Sequence, residues 1–478
     1  MEFKPSEYQE DIFDFVKHGH GNAVISAVAG SGKSTTIRML LDYIKPERNV
    51  LFLAFNSSIV EELKSKITRG NTQIKTIHSI GFSMIKYSFK EKNIKINENK
   101  YKNKLYSILE NDRISDKKYI KNVLKLCDLG RFYLVNNENE LLSVSNKYGL
   151  ILTDDELDVS LWLINWGKES FNDLEEIDYT DMIYLPNVLN LSAFKYDFII
   201  IDEAQDLSIA QMKLFIKCFK QGTRFIAVGD DNQCIYSFAG SNIDSFKKLK
   251  DMPNTIELPL SICYRCPKNI VKFAQKLVPE IEYKDDAIDG KIIFKAEVKD
   301  LIDGDMVICR NYLPLVKLYL HLLYNNVSCY IKGTDIGLNL LDIINSIDEA
   351  NVQDVITQAD NLLILYMNKN IESGNIIDDI KDSQEYNDLS DKIECLNVIS
   401  IGLKTKQELI EKITNMFSDE NKKGIYLSTI HKAKGLEADN VYILDSKLMP
   451  SKCAKQDWEL IQEKNLMYVA YTRSKKIL

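Results

Sequence analysis

Nothing in this chain narrows its fold as sharply as the segment Ala27-Val28-Ala29-Gly30-Ser31-Gly32-Lys33-Ser34-Thr35. An apolar run, Ala23 to Ile25, precedes it and reads as a buried strand; a helical pattern, Thr36 to Leu41, follows. A strand, a glycine-containing loop ending in Gly-Lys-Ser, and a helix form a cradle whose backbone N–H groups point at phosphate oxygens. Lys33 adds a point charge for the β and γ phosphates, and the Ser34 hydroxyl can ligate Mg²⁺. Far downstream stands Phe198-Ile199-Ile200-Ile201-Asp202-Glu203-Ala204-Gln205-Asp206. A buried apolar strand ending in Asp-Glu supplies a metal-side carboxylate, Asp202, and a base for water, Glu203.

The chain has 478 residues. That is too long for a single hydrophobic core, so several domains are expected. No apolar run is long enough to span a bilayer, and the opening Met1-Glu2-Phe3-Lys4-Pro5-Ser6-Glu7 has no signal-peptide character. A cytoplasmic protein with no membrane partner is expected, or a nuclear one if the source is eukaryotic. The nine cysteines are scattered. Cys263 and Cys266 form one Cys-x-x-Cys, but without a second pair or a histidine cluster it reads as reduced cysteine and not as a zinc site.

The net charge of −8 argues against a nucleic-acid partner until it is divided along the chain. Residues 341–420 carry 17 acidic against 6 basic residues. Residues 86–131 carry 13 basic against 6 acidic, with Tyr87, Tyr101, Tyr106 and Tyr119 interleaved. A basic stretch with aromatics suits a phosphate backbone and stacked bases, and Lys100, Lys102 and Lys104 are candidate backbone contacts. A solvated helical face is the competing reading.

Along the chain, the strand signals Ala23–Ile25, Val50–Ala54, Phe198–Ile201 and Phe225–Val228 belong with helical patterns to one α/β core. Lys291–Phe294, Met306–Cys309, Ser328–Ile331, Ile425–Ser428 and Val441–Leu444 belong to a second. The expected organisation is a first core over 1–85 and 191–258 interrupted by a basic helical insertion over 86–190. A second core over 259–340 and 421–478 is interrupted by a short acidic helical insertion over 341–420.

Further constellations fall at the ends of these strands. Gly229-Asp230-Asp231-Asn232-Gln233 is a polar turn in which Gln233 could touch both a γ-phosphate and the attacking water, with Tyr236 and Phe238 close behind. Tyr264-Arg265 sets a flat ring beside a guanidinium. His431-Lys432-Ala433-Lys434-Gly435-Leu436-Glu437 is a glycine-containing loop after a strand, and Tyr468-Val469-Ala470-Tyr471-Thr472-Arg473 ends the chain with another arginine.

In this order the motifs resemble those of superfamily 1 DNA helicases of the UvrD/Rep type, over nearly the whole chain. Ala29 to Ser34 matches motif I, Leu53-Ala54-Phe55-Asn56 resembles motif Ia, and Thr76-Ile77-His78-Ser79 resembles motif Ib. Asp202 to Asp206 is motif II in the form typical of the family. The turn from Gly229 through Phe238 is motif III, and motifs IV, V and VI follow at Tyr264-Arg265, His431–Glu437 and Tyr468–Arg473. The Ala-Phe-Asn and Thr-Ile-His spellings are most similar to the F-box-type DNA helicase branch, without an F-box.

The resemblance implies two tandem RecA-like P-loop cores using ATP and Mg²⁺. Gln9 would read the adenine edge and Tyr264 would stack on its face. Ala29, Gly30, Ser31, Gly32, Lys33, Ser34 and Thr35 would hold the phosphates, with Ser34 and Asp202 on Mg²⁺ and Glu203 activating water. Gln233, Arg265 and Arg473 would sense the γ-phosphate, and Glu437 would bind the ribose. Phe55, His78, Tyr236, Phe238 and His431 would lie along single-stranded DNA or a junction between single and double strands. The family usually has Arg after the aromatic of motif III, where Ala239 stands here. The chain stops at Leu478 soon after motif VI, where the family continues into a further strand, which suggests a minimal or truncated form.

The expected function is an ATP-dependent 3′–5′ DNA helicase or translocase. Two alternatives stay open: a translocase that strips proteins from DNA with little unwinding, and a nucleotide-regulated DNA-binding scaffold with a dead motor.

Overall fold

The computed structural model describes residues 4–67, 69–109, 117–150, 152–236, 245–372, 376–418 and 423–478. The chain divides into two compact units, Met1–Ser261 and Ile262–Leu478.

The strands of the first unit are β1 (Asn22–Ala27), β2 (Val50–Ala54), β3 (Thr72–Thr76), β4 (Lys95–Ile96), β5 (Glu176–Ile177), β6 (Tyr196–Ile201), β7 (Phe219–Gly229) and β8 (Thr255–Leu260). Six of them make one sheet in the order β3-β2-β6-β7-β1-β8, and every pairing is parallel. A parallel sheet is covered on both faces, so its central strands are continuously apolar. β2 is buried at all of its positions, and Ile25, Phe52, Ile200 and Ile226 share one core with Ile12 and Ile37 from the flanking helices. The strands that carry no sequence signal, β3 and β8, are the two edges. Edge strands bury less and tolerate polar residues, and Pro259 sits in β8 where no outer neighbour needs its missing N–H.

Residues 86–190 are mainly helical, with the short β4–β5 pair tying their two ends together. Here charge lies inside. Arg131, Lys100 and Asp181 are almost wholly buried. Arg131 reaches Asp178 at 2.8 Å and Asp181 at 3.0 Å; Lys100 meets Asp181 at 2.6 Å. The Tyr101 hydroxyl donates to Asp181 at 2.6 Å, and the Arg131 guanidinium lies 3.7 Å from the centre of the Tyr101 ring. This corrects part of the expected DNA face. Lys100 is a core ion-pair partner and not a backbone contact. Tyr101 and Tyr119 are buried, so neither ring is open to a base. Lys102 and Tyr87 remain exposed.

The second unit holds β9 (Ile262–Cys263), β10 (Glu282–Tyr283), β11 (Met306–Cys309), β12 (Cys329–Ile331), β13 (Ile425–Thr429), β14 (Ala438–Leu444) and β15 (Ser474–Ile477). Five form a parallel sheet in the order β12-β13-β11-β14-β15. The described residues of the acidic segment 341–420 are mainly helical, and their inner face is part of the sheet's core: Val355, Leu396 and Ile413 belong to the same buried cluster as Val307, Ile331 and Leu427. Two expectations are corrected. Lys291–Phe294 forms only a single bridge, Lys291 to Ile477, and Phe294 is exposed. The stretch after motif VI does form a strand, β15, whose charged sequence Ser-Lys-Lys-Ile hid it and whose edge position allows it.

Replacing Arg131 with Met leaves Asp178 and Asp181 without their guanidinium in a buried site. Removing one partner of a buried ion pair costs about 3–5 kcal/mol, so Arg131→Met is expected to lower the urea midpoint of the first unit's unfolding by a corresponding amount. An unfolding free energy within about 0.5 kcal/mol of the parent, the range of an ordinary surface change, would contradict this account.

Candidate functional site

Because β1, β2, β6 and β7 are parallel and in register, all four deliver their following loops to one edge of the first sheet. Ligands of α/β sheets bind at that carboxyl edge. β1 leads into the phosphate loop, β6 into Asp202-Glu203, β7 into Asp230–Gln233, and β2 into Phe55.

Gly30 and Gly32 take φ of 70° and 79°, left-handed values that a side chain resists. The helix Lys33–Leu40 starts with Gly32 as its N-cap and no side-chain cap, which leaves first-turn N–H groups for an anion. The Ser31 hydroxyl is buried in this loop without a hydrogen-bond partner. Such an orphan fits a polar ligand lying in the cradle. Ser34 is exposed at the start of the helix and Asp202 is largely buried at the end of β6. Both offer hard oxygen. Mg²⁺ commonly takes one or two protein oxygens and completes its shell with phosphates and water. That suits a chain with no cluster of three or more His, Cys, Asp or Glu able to hold a metal among the described residues.

Lys33 Nζ lies 3.3 Å from Glu203 Oε1. Glu203 itself sits at φ 51°, a left-handed turn, with its N–H donating to Asp202 Oδ1 at 2.9 Å. From Glu203 a polar chain runs inward. Gln205 Nε2 donates to Glu203 Oε2 at 2.5 Å; Gln205 Oε1 accepts from the Asp230 backbone N–H at 3.0 Å; Gln233 Nε2 donates to Asp230 Oδ2 at 2.5 Å. Burial pushes the Asp230 carboxyl up to about 6, with Lys33 opposing and Glu203 adding to the effect.

On the other side of the same carboxylates is a cavity of about 330 Å³, lined by Phe55, His78, Phe132 and Tyr236 together with Asp202 and Glu203. The Phe55 and Tyr236 rings are near parallel, 19° apart with centroids 6.3 Å apart. Burial holds the His78 imidazole below the usual histidine range. Phe238 lies outside the described residues. Phe132, on the helix Lys117–Tyr133, carries no sequence signal that separates it from an ordinary helix position. Gln205 and Asp230 stand inside recognised motifs, but nothing in their spelling shows that they touch.

Three placements depart from the simplest expectation. Gln9 is buried, with its Oε1 taking the Ser6 N–H at 3.0 Å in a capping box and its Nε2 donating to Thr36 at 2.8 Å. Its carboxamide therefore ties two helices together next to the phosphate loop. Arg473 is only 1% exposed: it donates to the carbonyls of Val469 at 2.9 Å and Leu436 at 3.4 Å, so it must leave the end of its own helix to meet a phosphate. Arg265 pairs with Glu437 at 2.5 Å, and Lys475 holds the other Glu437 oxygen at 2.7 Å. The residues expected to sense the γ-phosphate and to bind the ribose are thus paired with each other in this structure. Tyr264 is 43% exposed, its ring open to stacking. Cys263 and Cys266 are buried free thiols.

The sequence model of the UvrD/REP helicase N-terminal domain matches residues 8–254, more than half of the chain. The chain belongs to the UvrD/Rep helicase family. The model of the UvrD-like helicase C-terminal domain matches residues 334–478, and the fold is α/β with two tandem RecA-like cores. Among curated relatives, the ATP-dependent DNA helicase Rep of Buchnera aphidicola subsp. Baizongia pistaciae is 28% identical over 57% of this chain and 42% of its own length. The enzyme of the same name from Buchnera aphidicola subsp. Acyrthosiphon pisum is 23% identical over 96% of this chain and 92% of its own. The ATP-dependent DNA helicase PcrA of Bacillus subtilis is 26% identical over 55% of this chain and 38% of its own. Against the first Rep and PcrA, the matched part is well under two thirds of the relative.

In the second unit, burial pushes His431 down to about 3, with Arg310 acting in the same direction. A histidine depressed on folding gives stability that is present above its ordinary value near 6.5 and lost as pH falls toward 3. At pH 5 this loss amounts to about 2 kcal/mol. Between pH 7.5 and 5 the stability of the parent should therefore fall by that much relative to His431→Gln. Parallel urea denaturation of both proteins at the two pH values measures it, and curves that keep the same separation would refute a neutral imidazole.

Proposed function

We propose that this chain is an ATP-dependent DNA helicase that moves 3′ to 5′ on single-stranded DNA. The observation that carries the reading is the continuous chain of contacts Lys33, Glu203, Gln205, Asp230 and Gln233, which ends three residues before Tyr236 in the aromatic cavity. A phosphate-facing end and a base-stacking end joined in this way suit an enzyme in which hydrolysis answers to a bound strand. The printed names of the relatives, ATP-dependent DNA helicases, support the activity. The direction rests on the motif resemblance.

In this proposal residues Ala29 to Thr35 cradle the triphosphate, Ser34 and Asp202 hold Mg²⁺, and Glu203 takes a proton from the attacking water. Binding of the γ-phosphate gives Lys33 a stronger anionic partner than Glu203 and releases the carboxylate for that work. Tyr264 stacks on the adenine, Gln9 reads its edge once its carboxamide turns from Ser6 and Thr36, and Glu437 holds the ribose once Arg265 leaves it for the phosphate. Arg473 acts as a second cationic sensor. Phe55, His78, Phe132 and Tyr236 hold bases by stacking, which tolerates any sequence. The two sheets with their nearest helices are the motor cores, and 86–190 and 341–420 are the insertions. No helix of the described residues is long and apolar enough to cross a membrane, in keeping with action on DNA in solution.

Steady-state ATP hydrolysis should rise on addition of oligo-dT, and a 3′-tailed duplex should be separated in preference to a 5′-tailed one. Equal separation of both substrates would refute the direction; an unchanged ATPase would refute the coupling. Glu203→Gln keeps the shape of the side chain but cannot accept the proton, so turnover should fall about 10²–10⁴-fold while ATP binding persists. Turnover near that of the parent would assign the base to another group.

A further inference from the structure

Gln205 is 1% exposed and sits at the junction of two motifs. Its carboxamide is used at both ends, and the orientation is fixed by its partners. Oε1 faces a backbone N–H, that of Asp230, at 3.0 Å, and Nε2 faces the carboxylates of Glu203 at 2.5 Å and Asp206 at 3.4 Å. Turned over, the amide would set N–H against N–H and oxygen against carboxylate. Room for it comes from Gly229: a Cβ there would lie 2.5 Å from Gln205 Oε1 and 2.8 Å from the Phe246 ring. The Cys234 thiol closes the loop by donating to the Gln205 carbonyl at 3.5 Å.

We propose that Gln205 is the positioning residue that makes the water-activating carboxylate and the phosphate-sensing carboxamide move as one body, so that displacement of the Tyr236 segment by a bound strand is felt at Glu203. Glu203 is held directly. Gln233 is held at one remove, because Asp230 carries Gln233 on its carboxylate and is itself hung from Gln205 by its N–H. Gln205 touches neither nucleotide nor DNA in this account, which rests on the proposed helicase reading and adds a residue to it. An amide suits such a two-ended link: Glu offers no donor to Glu203, and Met offers neither donor nor acceptor.

The test compares the parent, Gln205→Met and Gln205→Glu in ATPase assays with and without oligo-dT, alongside melting curves. In both variants kcat with oligo-dT is expected to fall about 10–100-fold, the usual consequence of misplacing a reacting group by an ångström or so. KM for ATP and the affinity for oligo-dT without nucleotide should stay within about twofold, as expected for a residue that contributes no ground-state binding. The stimulation by oligo-dT should shrink toward one. A merely structural residue would instead lower the amount of active enzyme and leave the stimulation ratio unchanged. If Gln205→Met melts below the assay temperature, Gln205→Glu, of the same shape, decides. A parent-like stimulation ratio in a folded variant overturns the link alone. A raised KM with unchanged kcat also overturns it. A parent enzyme that oligo-dT does not stimulate overturns both the link and the helicase reading.

Discussion

Parallel pairing is the constraint on which the first unit depends. With every strand running the same way, the loops after β1, β2, β6 and β7 have no choice but to emerge at one edge. Residues 200 positions apart, Lys33 and Gln233, therefore belong to one polar cluster without any long-range signal between them in the sequence. The register Ser26 to Gly229 and Leu53 to Ile201 brings the strand ends level. The cavity beside Asp202 and Glu203 then opens next to the phosphate loop and not on another face of the unit.

Within that edge the arrangement is held by polar groups in low dielectric, where a satisfied hydrogen bond is strong and an unsatisfied one is expensive. Asp230 illustrates both sides. It is buried, its carboxyl is pushed upward by that burial, and it is stabilised by the Asn232 N–H at 3.0 Å and by Gln233. The left-handed turn at Glu203 belongs to the same design. Backbone strain of this kind persists where surrounding contacts over-determine it, and here Asp202, Gln205 and Lys33 all grip the residue.

Charge gave a less direct reading. The excess of lysine and arginine over residues 86–131 is real, but two of its members, Lys100 and Arg131, face inward onto Asp178 and Asp181. The acidic excess over 341–420 coexists with an inner apolar face that completes the core of the second sheet. In both stretches net charge described the composition, while the direction of each side chain decided what solvent or a ligand meets.

The sequence by itself determined the local events: where the apolar runs form central strands, where glycine permits the left-handed turns of the phosphate loop, and which motifs follow in what order. These depend on near neighbours and on spacing, so they can be read along the chain. The edge strands β3, β8 and β15 escaped because an edge buries little and its residues need not be apolar. Only the tertiary structure decided that Lys100 and Tyr101 are internal, that Arg473 turns onto its own helix end, that Gln9 caps and bridges, and that Gln205 joins Glu203 to Asp230. Apart from the local contacts of Gln9 with Ser6 and of Arg473 with Val469, each of these is set by what packs over a side chain from a distant part of the chain, and no spacing encodes that.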